Sequence, residues 1–273
     1  MRKLAGSIAD LRMIAGYIQN SPVFGRKEQN FTQAEELATA ISADLLVLPE
    51  LFATGYTFTS HDEVSALAEP ADDDTAGFLK ELSLKTGAIV VGGFVEEKNG
   101  LFYNSALMVS ADRIIGVYRK IHLFNREKVW FSAGDGPPEV YDIGGIRIGM
   151  MICFDWFFPE TARTLALKGA QVIAHPSNLV MPYCQSAMPT RCLENRVFAV
   201  TANRIGRETR GPDDFLFTGA SQITALNGNI LSSAPSDRVF SAVVQFDHYL
   251  ADNKLINEKN DILADRRPDL YLS

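Results

Sequence analysis

Three side chains of complementary chemistry each follow a short apolar run in this 273-residue chain: Glu50, Lys120 and Cys153. A thiolate can attack a carbonyl carbon, a carboxylate can carry protons, and an ammonium can stabilise negative charge on the carbonyl oxygen. Together they form a complete set for cleaving a carbon–nitrogen bond. Because open α/β sheets place their sites at the carboxyl ends of strands, we expect the three to converge.

Cys153 lies inside a strand, turn and helix predicted over residues 144–169. Pro159 suits the first turn of the helix, and Gly169 suits its end. A thiol just before a helix N-terminus meets unsatisfied N–H groups, which predicts a lowered pKa and a place for an oxyanion. The ordinary alternative, a buried structural cysteine, is outweighed by the presence of Glu50 and Lys120.

The chain opens with a β-α-β pattern, which predicts neighbouring parallel strands joined by a right-handed crossover. The strands are predicted at 11–18 and 45–48, and the amphipathic helix between them at 30–42. Further strands are predicted at 88–95, 101–109, 114–118, 172–174, 198–202, 220–224, 230–232 and 239–246, with helices at 75–86 and 186–196 and a long loop at 120–139. This pattern indicates an α/β protein, and it fits two packed sheets flanked by helices.

Composition predicts one domain over residues 11–273, preceded by a short extension at residues 1–10, because no linker or low-complexity tract divides the chain. The net charge of −7 argues against nucleic acid or an anionic membrane as a partner. No apolar stretch reaches the length of a membrane span. Three cysteines fit neither a disulfide framework nor a zinc site, which favours a cytoplasmic setting.

Three sequence segments carry a family resemblance: LPELFATGY around Glu50, YRKIHLF around Lys120 and MMICFDWFFPE around Cys153. In type and order they resemble the signature segments of the carbon–nitrogen hydrolase (nitrilase) superfamily. The similarity runs from about residue 11 to the C-terminal RRPDLY. It implies a four-layer α-β-β-α sandwich, and a homodimer that pairs through helices near the cysteine.

The resemblance also implies the catalytic roles. Glu50 is expected to be the general base, Lys120 the oxyanion stabiliser and Cys153 the nucleophile that forms a thioester. Glu127 matches a second glutamate that supports Lys120, although a charged loop residue is often merely solvated. The implied reaction needs neither a metal nor an organic cofactor.

Five residues are candidates for contact with substrate. The Phe154 N–H is expected to be the second oxyanion donor, and Trp156 and Phe157 either wall the pocket or belong to the core. Tyr56 is expected to support Glu50, and Asn178 either lines the pocket or makes a turn. Branches that cleave N-carbamoyl amino acids carry arginines where this chain has Trp156 and Phe157, so a neutral substrate is expected.

The sequence leaves the substrate open within one reaction class. We expect hydrolysis of a small neutral or aliphatic carboxamide to acid and ammonia, with an N-carbamoyl amine or a nitrile as alternatives. The segment FDWFFPE lacks the Trp-Glu pair common after the cysteine of true nitrilases. A Cys-His protease or acyltransferase would need a histidine at Cys153, whereas His122 is interpreted as structural. A non-catalytic interaction protein is the remaining alternative.

Overall fold

The computed structural model describes residues 12–271, and two six-stranded sheets form its centre. The first sheet has the order β14-β1-β2-β3-β4-β5, with bounds β1 Met13–Gln19, β2 Leu45–Val47, β3 Ile89–Lys98, β4 Leu101–Val109, β5 Ile114–Arg119 and β14 Phe240–Phe246. The second has the order β13-β12-β9-β8-β7-β6, with bounds β6 Val140–Ile143, β7 Ile146–Met150, β8 Val172–Pro176, β9 Phe198–Ala202, β12 Gln222–Thr224 and β13 Ile230–Ser233. Strands β10 Arg207–Arg210 and β11 Asp213–Leu216 form a separate hairpin.

Helices cover the outer face of each sheet. The α-helices within residues 12–271 are α1 Lys27–Thr39, α2 His61–Leu67, α3 Asp74–Thr86, α4 Glu127–Trp130, α5 Pro159–Leu167 and α6 Cys184–Asn195. Helices α1 and α3 pack on the first sheet, and α6, with α5 beside it, packs on the second. The layers therefore run α-β-β-α, which confirms the predicted sandwich.

Side-chain alternation along the strands builds two cores. On β1, Ala15 and Tyr17 point between the sheets, where they join Met150 and Val200, whereas Ile18 points toward α1 and α3. Successive side chains of a strand face opposite ways, so a strand covered on both faces is apolar throughout. That is why β1 and β2 read as unbroken hydrophobic runs.

Strand direction brings the candidate residues to one edge. Strands β1, β2 and β3 are parallel, as are β7, β8 and β9. Strand β5 is separated from β3 by two antiparallel pairings and therefore runs in the same direction. Glu50, Lys120, Cys153 and Asn178 thus follow the carboxyl ends of β2, β5, β7 and β8, at the edge where open α/β sheets place their sites.

Several predicted boundaries differ from the structure. The helix predicted at 30–42 spans Lys27–Thr39, because its apolar stripe marks the buried face and not the ends. The predicted loop at 120–139 contains the short helix α4. Helix α2, strand β6 and the β10–β11 hairpin were not predicted. The predicted extension at residues 1–10 lies outside the described residues.

Candidate active site

Glu50 is fully buried at a sharp turn after β2. The next residue, Leu51, has φ +47°, and a Cβ at Gly93 on β3 would lie 2.7 Å from the Glu50 Cα. Glycine at position 93 therefore lets β3 pass close behind the turn. The turn brings the carboxyl group against Lys120 and Asn104.

The two carboxylate oxygens of Glu50 have different surroundings. Oε1 accepts hydrogen bonds from Lys120 Nζ at 2.7 Å and from Asn104 Nδ2 at 2.6 Å. Oε2 is buried and has no hydrogen-bond partner among residues 12–271. One oxygen is therefore fixed, while the other is free to accept a proton.

Lys120 is buried between two carboxylates. Its Nζ lies 2.7 Å from Oε1 of Glu50 and 2.7 Å from Oε1 of Glu127. Burial alone would lower the pKa of Lys120, but the charges of Glu127 and Glu50 more than offset this and raise it. The lysine is therefore a permanent cation, with one of its three N–H donors unused in the described contacts.

Glu127 opens the single turn of α4, where three donors hold its side chain. The Tyr56 hydroxyl donates to Oε1 at 2.6 Å, beside Lys120, and the Phe124 N–H donates to Oε2 at 3.1 Å. Burial raises the pKa of Glu127, and the Lys120 charge opposes that rise. The structure thus places Glu127 against Lys120 and not in solvent.

Cys153 follows β7 at a strained turn. Its φ is +41°, a region that non-glycine residues rarely adopt. His175 Nε2 lies 3.0 Å from the Cys153 carbonyl oxygen, and because a carbonyl only accepts, Nε2 carries the proton. Thr201 Oγ1 lies 3.1 Å from the other ring nitrogen and donates to it. His175 therefore fixes the turn that presents the thiol.

The pKa of the Cys153 thiol is raised well above its usual value, which corrects the lowered pKa predicted from the sequence. Burial is the largest cause and the Glu50 charge is the next, while Lys120 and the Asn178 backbone N–H act in the opposite direction. The backbone N–H that acts on the thiol belongs to Asn178, after β8, and not to the helix that follows Cys153. The resting thiol is protonated.

His122, two residues after Lys120, belongs to a hydrogen-bond network centred on Asp155. His122 Nδ1 lies 2.7 Å from Oδ1 of the buried Asp155, whose Oδ2 accepts from the Tyr118 hydroxyl at 2.7 Å and from the Ile152 N–H at 2.9 Å. The His122 ring stacks on Phe158 with centroids 3.7 Å apart. The contacts of His122 are those of a structural residue.

A small pocket opens over the thiol. Its lining is aromatic, aliphatic and amide: Phe124, Cys153, Phe154, Trp156, Asn178, Leu179, Val180 and Met181. No charged side chain of residues 12–271 is part of this lining. Asn178 is 2% exposed, and within the same range neither its Nδ2 nor its Oδ1 has a hydrogen-bond partner. An unpaired buried amide is costly unless a ligand completes it.

The five candidate substrate residues fall into three groups. Phe154, Trp156 and Asn178 line the pocket. Tyr56 is not part of this lining, and its hydroxyl bonds Glu127 instead of Glu50. Phe157 is outside the lining and 50% exposed, because its side chain leaves the 3₁₀ turn at Cys153–Phe157 toward solvent.

Sequence reasoning missed Asn104 and Asp155, although both carry bonds that shape the site. Asn104 interrupts the apolar run of β4, and a lone amide in a buried strand is a signal that it serves a polar partner. Asp155 sits three residues after Ile152 and bonds its N–H, which is a turn signature.

Neither a metal site nor a membrane span is evident in the described part of the chain. No group of three or more His, Cys, Asp or Glu side chains in residues 12–271 is arranged to hold a metal ion. No helix in this range combines the length and apolar character needed to cross a bilayer.

A sandwich that gathers a buried glutamate, a lysine and a cysteine at one edge defines a hydrolase of carbon–nitrogen bonds. The family model for carbon–nitrogen hydrolases matches residues 14–248, and the chain belongs to that family.

Comparisons with individual proteins agree with this assignment. The chain is 48% identical to a nitrilase from Pyrococcus abyssi over 93% of its length and 97% of the relative. It is 37% identical to an (R)-stereoselective amidase from a Pseudomonas species, over 82% and 80% of the two chains. The structure of a carbon–nitrogen hydrolase from Helicobacter pylori G27 superposes with a TM-score of 0.84 at 26% identity, covering 96% and 97% of the two chains. The protein is an enzyme of this family.

Proposed function

We propose that this enzyme hydrolyses small uncharged carboxamides to a carboxylic acid and ammonia through a thioester on Cys153. The observation that carries the proposal is the pocket over the thiol, which is small and apolar apart from the unpaired amide of Asn178. A charged substrate group would lose its hydration there without gaining a partner of opposite charge. A short neutral acyl chain fits this lining.

The first step uses the asymmetry of Glu50. The resting thiol is protonated, so its proton passes to the free Oε2 of Glu50 as the sulfur attacks the amide carbon. Negative charge then develops on the amide oxygen. The unused N–H of Lys120 and the backbone N–H of Phe154 are the proposed donors to that oxygen.

The second step returns the proton. Glu50 protonates the leaving nitrogen, the carbon–nitrogen bond breaks, and ammonia departs to leave the Cys153 thioester. Glu50 then removes a proton from water, and the resulting hydroxide attacks the thioester carbon. When the carbon–sulfur bond breaks, the proton on Glu50 returns to the thiolate, so the acid is released and the resting site is restored.

Glu127 and Tyr56 have a supporting part in this proposal. Together with Glu50, Glu127 holds the Lys120 ammonium at a fixed point, and the Tyr56 hydroxyl holds Glu127. A donor that is already oriented stabilises an oxyanion without reorganising during the reaction.

Nitriles are a second candidate substrate class, which the 48% identity to a protein named nitrilase favours. Addition of the Cys153 thiol to a nitrile carbon gives a thioimidate, and two successive hydrolyses then yield ammonia and the acid. The same Glu50 and Lys120 serve both reactions. The residue pair Phe154-Asp155 after the cysteine is thus a weak argument against nitriles.

The test is ammonia release from matched series of short aliphatic amides, N-carbamoyl amines, N-carbamoyl amino acids and nitriles. We expect amides to be turned over fastest, and Cys153→Ala to abolish the release. Cys192→Ala is the matched control, because Cys192 is a buried free thiol on α6 outside the pocket lining. Preferential turnover of nitriles or carbamoyl compounds would replace the amide assignment, and release that survives in Cys153→Ala would refute the mechanism.

We also propose that the enzyme works as a homodimer joined through the face of α5 and α6. Three large apolar side chains on or beside this face are about half exposed: Phe157 at 50%, Leu167 at 48% and Leu193 at 52%. A contiguous apolar patch marks an interaction site, and the proposal is that these three side chains belong to one. Sedimentation should give twice the monomer mass, and Leu193→Asp should lower it, whereas a monomeric wild type contradicts the proposal.

A further inference from the structure

The segment that carries Tyr56 is a buried loop whose backbone N–H groups need hydrogen-bond partners. Every residue from Leu51 to Phe58 is buried, yet the segment forms neither helix nor strand. Its backbone N–H groups cannot reach water and therefore require partners within the protein. The conformation of this loop sets where the Tyr56 hydroxyl meets Glu127.

Glu208 of β10 supplies two of those partners. Its Oε2 accepts from the Tyr56 N–H at 3.1 Å and from the Thr57 N–H at 2.8 Å. Charge-assisted bonds of this kind are stronger than neutral ones. Glu208 thus fixes the backbone of Tyr56, whose hydroxyl donates to Glu127.

Glu208 is itself held by a buried arginine. Arg204 is 1% exposed, and its Nη1 donates to Oε1 of Glu208. Its Nη2 donates to the Pro22 carbonyl at 2.9 Å, and its guanidinium lies 4.0 Å from the centroid of the Phe217 ring. An ion pair removed from water in this way is rigid, and loss of one partner leaves the other charge uncompensated.

The contacts form one unbroken path. Arg204 bonds Glu208, Glu208 bonds the Tyr56 backbone, and the Tyr56 hydroxyl bonds Glu127. Glu127 bonds Lys120, which bonds Glu50. We infer that Glu208 is a positioning residue for this reaction: it fixes Tyr56, and through Tyr56 and Glu127 it sets the position of the Lys120 ammonium. The inference rests on the proposed role of Lys120.

A double-mutant cycle between Glu208→Gln and Tyr56→Phe tests this inference. We expect Glu208→Gln to lower kcat about tenfold, with KM changed less than about twofold, because a small displacement of Lys120 weakens oxyanion stabilisation. In the Tyr56→Phe background the same change should lower kcat less than about twofold, since the hydroxyl that transmits the effect is gone. Equal losses in both backgrounds, or an unchanged kcat in Glu208→Gln, would overturn the inference.

Glu69→Gln is the matched control for a purely structural effect. Glu69 is also a buried carboxylate that binds a cation, Lys27 at 2.7 Å, and a backbone N–H, that of Thr75 at 3.1 Å. None of these partners touches Lys120. We expect Glu69→Gln to lower the melting temperature without lowering kcat, and a comparable fall in kcat would count against a specific role of Glu208.

A second variant and a second readout keep the test independent of folding and of substrate choice. Glu208→Asp retains the charge beside Arg204 but is too short to reach both N–H groups, and we expect it to lose kcat as Glu208→Gln does. The rate of Cys153 alkylation by iodoacetamide needs no substrate, and it should fall in both variants because Lys120 opposes the raised thiol pKa. If the wild type turns over no compound in the series, unchanged alkylation still refutes the positioning role.

Discussion

The side-chain amide of Asn104 donates a 2.6 Å hydrogen bond to Oε1 of Glu50, the same carboxylate oxygen that Lys120 contacts at 2.7 Å. Both donors thus converge on one oxygen and leave Oε2 without a partner in residues 12–271. In the proposed mechanism this convergence assigns proton transfer to Oε2. In the same mechanism Asn104 orients the base, although it is not part of the pocket lining.

Asn104→Leu should therefore lower kcat about tenfold and leave KM nearly unchanged, because the carboxylate loses one of its two anchors. The measurement is steady-state ammonia release from the best amide. Ser105→Ala is the control, since Ser105 is the next residue on β4 and bonds Glu96 instead of Glu50. A kcat for Asn104→Leu equal to that of Ser105→Ala would contradict this role.

Lys120→Met should lower kcat at least about 10²-fold and destabilise the fold by about 3–5 kcal/mol, because Glu50 and Glu127 would be buried without their cation. Chemical unfolding and ammonia release measure the two effects. Adding Glu127→Gln to Lys120→Met should recover part of the stability, since one buried charge is removed, but none of the activity. Recovery of activity in the double variant would show that Lys120 has no catalytic part.

The Cys153 thiol should remain protonated in the resting enzyme beyond the pH at which a free cysteine ionises, because burial and the Glu50 charge raise its pKa. The ultraviolet difference spectrum between wild type and Cys153→Ala reports thiolate. Glu50→Gln removes a charge that raises this pKa, so thiolate should appear at lower pH while hydrolysis is lost. A thiolate signal near neutral pH in the wild type would contradict the proton transfer to Glu50.

His175 should make the enzyme sensitive to acid. Burial lowers the pKa of His175 to about 4, and the unfolded value is about 6.5. Below pH 6.5 His175 binds a proton in the unfolded chain but stays neutral in the folded protein. The free energy of unfolding therefore keeps its full value above pH 6.5 and falls by about 3 kcal/mol toward pH 4. Urea unfolding of wild type and His175→Gln across this range gives the difference. A difference that stays constant with pH would exclude His175 as the source.

The convergence of the three central residues could be predicted because each lies within three residues of the end of a strand. An apolar run that ends in a charged or nucleophilic residue is visible in the sequence, and the direction of parallel strands gathers such ends. Asn104 was missed because its partner, Glu50, lies 54 residues away and follows β2, which is not a neighbour of β4 in the sheet. Only the sheet order reveals that pairing.

The β10–β11 hairpin was missed for a different reason. Its strands read RETR and DDFL, and one face is solvated, so hydrophobic periodicity gives no signal. Glu208 follows Arg204 by four residues, a spacing that in sequence suggests an exposed helical pair. Both residues are buried, and their burial depends on tertiary packing that the sequence spacing does not reveal.

The pocket walls show the limit of local reasoning. Trp156 and Phe157 are adjacent aromatic residues in one 3₁₀ turn, yet Trp156 is 5% exposed and Phe157 is 50% exposed. Because both are large aromatic residues, the sequence predicts the same role for Trp156 and Phe157, in the pocket wall or in the core. Their different exposure follows from how the 3₁₀ turn packs against α6, and this packing cannot be predicted from the local sequence.

The division of the site between the two sheets links activity to folding. Glu50 and Lys120 follow strands of the first sheet, whereas Cys153 and Asn178 follow strands of the second. Neither sheet carries all four residues, so the site is complete only when the two sheets are packed together. During refolding, we therefore expect ammonia release to recover only when the two sheets pack together, later than the return of secondary structure.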